Sequence, residues 1–131
     1  MLRKCAVAGA AIALAAALNI AAVAGPDDYV FEPVNAQVKK GDDAIVSVRL
    51  KHKPTGKPVA DAVIVQTRID MTPEAMPEMA SRITQVPSAE AGVYSFKTDL
   101  SMQGRWLLSI AAKVQSEPET VIGKITFQAS R

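Results

Sequence analysis

Residues 105–115 read Arg105-Trp106-Leu107-Leu108-Ser109-Ile110-Ala111-Ala112-Lys113-Val114-Gln115. Every second side chain is apolar: Trp106, Leu108, Ile110, Ala112 and Val114 share one face, and Arg105, Leu107, Ser109, Ala111, Lys113 and Gln115 share the other. A period of two belongs to a β-strand covered on one side and wet on the other. A helix would repeat its apolar positions every three or four residues, and this stretch does not.

The same alternation extends outward in both directions. Upstream, Ala44, Val46, Val48 and Leu50 fall on one face, with Ile45, Ser47 and Arg49 on the other. Over 62–69 the pattern assigns Val63, Val65 and Ile69 to the core and Gln66 and Arg68 to solvent. Downstream, Val121, Ile125 and Phe127 line one side of a last strand, and shorter strands fit 29–38, 81–86 and 93–98. Turn residues separate these runs: Lys40-Gly41-Asp42-Asp43, Lys53-Pro54-Thr55-Gly56-Lys57-Pro58, Glu90-Ala91-Gly92 and Gln103-Gly104. About seven short strands in one domain-sized chain predict an all-β fold, an immunoglobulin-like antiparallel β-sandwich. Trp106, the single tryptophan, is expected in its core. Tyr94 opens a late strand two residues before Phe96, so it is either a tyrosine corner or an ordinary strand aromatic.

The N-terminus sets the expected compartment. Arg3 and Lys4 precede an apolar run from about Ala6 to Leu18, and Ala22-Val23-Ala24 ends it on a small-x-small cleavage pattern. That is the layout of a secretory signal peptide, so residues 1–24 are expected to be cleaved and residues 25–131 to form one periplasmic or secreted domain. Retention as an anchor is the alternative, but the run is short for a span and Asn19 interrupts it. No other stretch approaches spanning length. The single cysteine, Cys5, lies before the apolar run and would leave with it. The mature chain then has no thiol for disulfides, zinc or nucleophilic catalysis. Arg3 and Lys4 leave too, so 13 basic residues balance 13 acidic ones and nothing draws the domain to nucleic acid. The basic cluster Arg49, Lys51, His52, Lys53 and Lys57 reads as a solvated hairpin tip.

One segment lacks periodicity: Asp70-Met71-Thr72-Pro73-Glu74-Ala75-Met76-Pro77-Glu78-Met79-Ala80. It is expected to be an extended connection between sheets. Its methionines, Met71, Met76 and Met79, with Met102 in the turn before Gly104, admit two readings. Thioether sulfur is soft and neutral, which suits Cu(I) in an oxidising compartment. Alternatively, flexible methionines plug the end of the sandwich. His52, the one histidine, is not placed near them by sequence. Asp61, Asp70, Glu74 and Glu78 show no signature spacing, and no phosphate loop or calcium loop occurs, so no catalytic site is assigned.

Five elements in order carry a family resemblance: Gly56-Lys57-Pro58-Val59-Ala60-Asp61-Ala62, Asp70-Met71, Met76-Pro77-Glu78-Met79, Gly92-Val93-Tyr94 and Met102-Gln103-Gly104-Arg105-Trp106. Together they resemble the YtkA-like domain, grouped with the FixH family of exported or membrane-anchored bacterial proteins, over roughly residues 30–128. The resemblance implies an extracytoplasmic immunoglobulin-like sandwich in metal-handling settings such as copper export and oxidase assembly. The expected function is a non-catalytic accessory module. It either handles copper or another soft metal through Met71, Met76, Met79 and Met102, or docks a periplasmic or membrane protein with no metal site.

Overall fold

Alternating burial along Gly104–Lys113, with Trp106, Leu108, Ile110 and Ala112 inside, follows the sequence period residue for residue. The computed structural model describes residues 26–115 and 117–131, so the leader expected at 1–24 lies outside it. Ten strands run in chain order: β1 Tyr29–Pro33, β2 Gln37–Lys39, β3 Gly41–His52, β4 Lys57–Pro58, β5 Val63–Met71, β6 Met76–Ser81, β7 Ile83–Val86, β8 Val93–Leu100, β9 Gly104–Lys113 and β10 Val121–Ser130. They form two sheets. The first has the order β1-β3-β8-β7, with β4 also on β3; the second has the order β2-β10-β9-β5-β6. Between them lie Trp106, Phe96, Phe127, Leu50, Ile69, Met71, Leu100 and Leu108, each less than 2% exposed.

All seven expected strands are present, and three local departures have physical causes. The first strand splits: β1 pairs with β3, then the chain changes sheets and β2 runs parallel to β10, Gln37 opposite Gln128. One pairing is therefore parallel in an otherwise antiparallel fold. The second departure is in β5, where Ile64 faces Ala112 but Gln66, not Val65, faces Ala111. Val65 is an extra, bulged residue, and a bulge switches the face of everything beyond it. Val63 (61% exposed) and Val65 (53%) therefore point outward, while Ile69 is buried, contrary to their expected shared core face.

The third departure corrects the Met/Pro segment, which is not an open connection. Thr72–Glu74 makes a single 3-10 turn, closed by Ala75 N–H donating to Thr72 O at 2.8 Å. The chain then returns as β6 against β5, pairing Met76 with Met71, Ala80 with Asp70 and Ser81 with Ile69. Pro77 is tolerated because β6 is the outermost strand of its sheet. The crossing between sheets comes at Arg82. Its carbonyl accepts from Thr98 Oγ1 at 2.6 Å, and its guanidinium reaches Asp99 at 2.8 Å and Asp43 at 2.9 Å.

Candidate functional site

The five sequence elements converge at the two ends of the sandwich. At one end, Asp70 accepts hydrogen bonds from Thr72 Oγ1 (2.6 Å), Thr72 N–H (3.0 Å) and Arg68 Nε (2.7 Å). Burial pushes its carboxyl pKa up, but the Thr72 and Arg68 hydrogen bonds outweigh that and hold it below the ordinary value. Glu74 receives Arg105 Nε at 3.0 Å and the Arg105 amide at 2.9 Å, and Arg105 Nη2 also donates to Pro73 O. Those bonds lower the Glu74 pKa. Trp106 Nε1 donates to Met102 O at 3.0 Å, which satisfies the indole inside the core. A β-carbon on Gly104, whose φ is +139°, would lie 2.8 Å from Met71 Cε.

These contacts locate the four methionines proposed as metal ligands. Met71 is buried in the core, and Met76 stands opposite it on β6. Met76 and Met79 are partly buried and pack on the core, whereas Met102 is 39% exposed in the β8–β9 turn. Among the described residues, no three His, Asp or Glu side chains gather into a metal-binding group.

At the other end, Tyr94 Oη donates to Val59 O at 2.7 Å and accepts from Ala62 N–H at 3.0 Å. A tyrosine corner would bond a few residues upstream; this hydroxyl instead pins the distant entry to β5. Gly92 has φ +84°, and a β-carbon there would lie 2.5 Å from Pro58 Cβ, so Gly92 lets the β7–β8 hairpin close on Pro58. The basic cluster is a solvated hairpin, as read from sequence. Arg49 pairs with Glu90 at 3.0 Å and Lys51 with Glu32 at 3.2 Å, while His52 Nδ1 lies 2.9 Å from Thr55 Oγ1. A hollow of about 420 Å³ beside this hairpin runs from Ala60 to the 85–94 stretch, and its one charged lining residue, Glu90, is the partner of Arg49.

The feature that sequence reasoning missed is the outer face of the second sheet. Ile122 is 63% exposed and lies opposite Ala111, which in turn lies opposite Gln66. Lys113 faces Val63 in the row on one side, and Lys124 faces Ser109 in the row on the other. A hollow of about 210 Å³ opens here, lined by Gln66, Arg68, Ser109, Ile110, Ala111 and Ile122. The signal was present in the sequence, since Val121, Ile125 and Phe127 inside force Ile122 outside.

A family model described as YtkA-like matches residues 23–111. No curated protein matches the sequence. Two solved structures are similar at low identity. A "ZirS C-terminal Domain" is 17% identical with a TM-score of 0.44, covering 85% of this chain and 73% of its own. The Lin-41 filamin domain is 16% identical with a TM-score of 0.43, covering 73% of this chain and 91% of its own.

Proposed function

As the chain belongs to the YtkA-like family, we propose that it is a non-catalytic module that works outside the cytoplasm by binding another protein. One observation carries this reading: motif residues at both ends of the sandwich are spent on the framework, while aliphatic side chains stand exposed on one sheet face. Pro58, Gly92 and Tyr94 close one end, and Asp70, Met71, Gly104 and Trp106 close the other. Val63, Val65 and Ile122 are each more than half exposed. Exposed aliphatic residues grouped on one face suit an interface. The leader-like residues 1–24 support the compartment.

The test is photo-crosslinking in cells, with a photoreactive residue at Ile122 on the second sheet or at Ile45 on the first. A discrete protein adduct from either face supports the module. Absence of adducts from both overturns it.

A second reading is soft-metal handling of the kind associated with the FixH grouping, with Cu(I) held by Met71, Met76, Met79 and Met102. The cross-strand pairing of Met71 with Met76 supports it, as does the approach of Met71 to the Gly104 turn that follows Met102. Cu(I) titration against a competing chelator decides it. One tight equivalent, lost in a Met71→Leu/Met76→Leu/Met79→Leu variant that keeps its fold, establishes metal handling. Equal behaviour of the two proteins removes it.

A further inference from the structure

Resting on the protein-binding reading, we propose that the outer face of β5, β9 and β10 docks an extended, acidic segment of a partner protein, with an aliphatic side chain seated over Ala111 and Ile122. Three observations carry this.

The first is that the sheet edges are poor sites for an added strand. β1 ends in Pro33, β6 contains Pro77, and β7 has four residues and runs into Pro87. β2 has three residues, and the part of β5 beyond β6 carries the Val65 bulge. Proline, shortness and bulges are the devices that blunt an edge. Docking is therefore directed to a face.

The second is charge. Asp70 is engaged with Arg68, and Glu74 with Arg105. Lys113 and Lys124 have no ion-pair partner among the described residues. Both cations are thus available, one on each side of the Ala111–Ile122 row.

The third is spacing. Rows of outward side chains lie two residues apart, about 7 Å along a strand. An extended segment places alternate side chains at the same interval, so an acid, an aliphatic residue and a second acid at alternate positions match Lys113, the hollow and Lys124. A bilayer fits less well. Two free lysines supply little attraction to anionic lipid, and the face carries no aromatic side chain to enter the interface.

The probe is the peptide Asp-Ser-Leu-Ser-Asp, titrated to millimolar concentration into the isotope-labelled full chain and followed by amide chemical shifts. Expected are saturable shifts centred on Ala111, Ile122, Lys113 and Lys124. Affinity should weaken about fivefold for each of Lys113→Glu and Lys124→Glu and fall with added salt. Lys-Ser-Leu-Ser-Lys should give no response. Shifts elsewhere, none at all, or equal response to the cationic peptide overturn the proposal. So does a dimer abolished by Ile122→Glu, which makes a second copy the occupant, or sedimentation with phosphatidylglycerol vesicles abolished by the lysine variants, which makes it lipid. Crosslinks from Ile45 alone would sink this surface and leave the protein-binding reading standing; absence of crosslinks from both faces would sink that reading itself.

Discussion

The Tyr94 hydroxyl stands between Val59 and Ala62, donating to the carbonyl of one and accepting from the amide of the other. Val59 to Ala62 is the segment that leaves the first sheet after β4 and enters the second at β5. One phenol on β8 therefore ties the two sheets together where the chain passes between them, and two of the five elements of the family resemblance meet in that tie.

Tyr94→Phe keeps the buried ring but leaves a carbonyl and an amide without their partner. Orphaning such groups costs about 1–3 kcal/mol. Urea unfolding should show a loss of that size, and the Ala62 amide should lose its hydrogen-exchange protection before the β9 amides do. An unchanged Ala62 amide would mean that the bond does not hold the segment.

Trp106 is 1% exposed and its indole is satisfied by the Met102 carbonyl. As the only tryptophan, it reports on the core without interference. Native emission should be blue-shifted and move to the red on unfolding. Trp106→Ala should destabilise by about 3–5 kcal/mol through the cavity it leaves. Red-shifted emission from the folded protein would contradict the burial.

The bulge at Val65 divides β5 into positions that matter for the core and positions that do not. Val63→Thr or Val65→Thr should change stability by less than about 0.5 kcal/mol. Ile69→Ala should cost about 2–5 kcal/mol. Comparable losses at all three positions, measured by thermal unfolding, would return Val63 and Val65 to the core.

The contrast between β9 and β5 shows what this sequence reveals. β9 keeps strict alternation, so Trp106, Leu108, Ile110 and Ala112 are assigned inward by inspection. In β5 a single extra residue inverts the pattern, and nothing local in Val63-Ile64-Val65-Gln66 marks where it sits. β6 is hidden for a different reason. Pro77 argues against a strand unless the strand is outermost, and edge position is a property of the whole sheet. The outward direction of Ile122 follows from its neighbours, but the free lysines beside it depend on which carboxylates the fold uses up. The methionines were visible as a group, yet only folding separates buried Met71 from exposed Met102.

Acid should loosen the methionine end first. Hydrogen bonds from Thr72 and Arg68, outweighing burial, lower the Asp70 pKa; Arg105 lowers that of Glu74; the Asp43 amide and then Arg82 lower that of Asp99. A carboxyl whose folded pKa is depressed stabilises the fold above its unfolded pKa, and the gain is lost as pH falls through the folded value. With ordinary values of 3.8 for the aspartates and 4.5 for Glu74, stability should be level above about pH 5 and fall steadily below it. Asp70→Asn should lower stability at neutral pH and flatten part of this acid slope, so that mutant and parent curves converge toward pH 2. Salt separates the contributions. Arg82 and Arg105 are more than half exposed and their ion pairs are screened, whereas Asp70 is buried and keeps its Thr72 hydrogen bonds. The part of the slope removed by Asp70→Asn should therefore survive high salt. If salt erased it together with the rest, Asp70 would be acting as a surface charge rather than as the buried lock on the turn that carries Met71 into Met76.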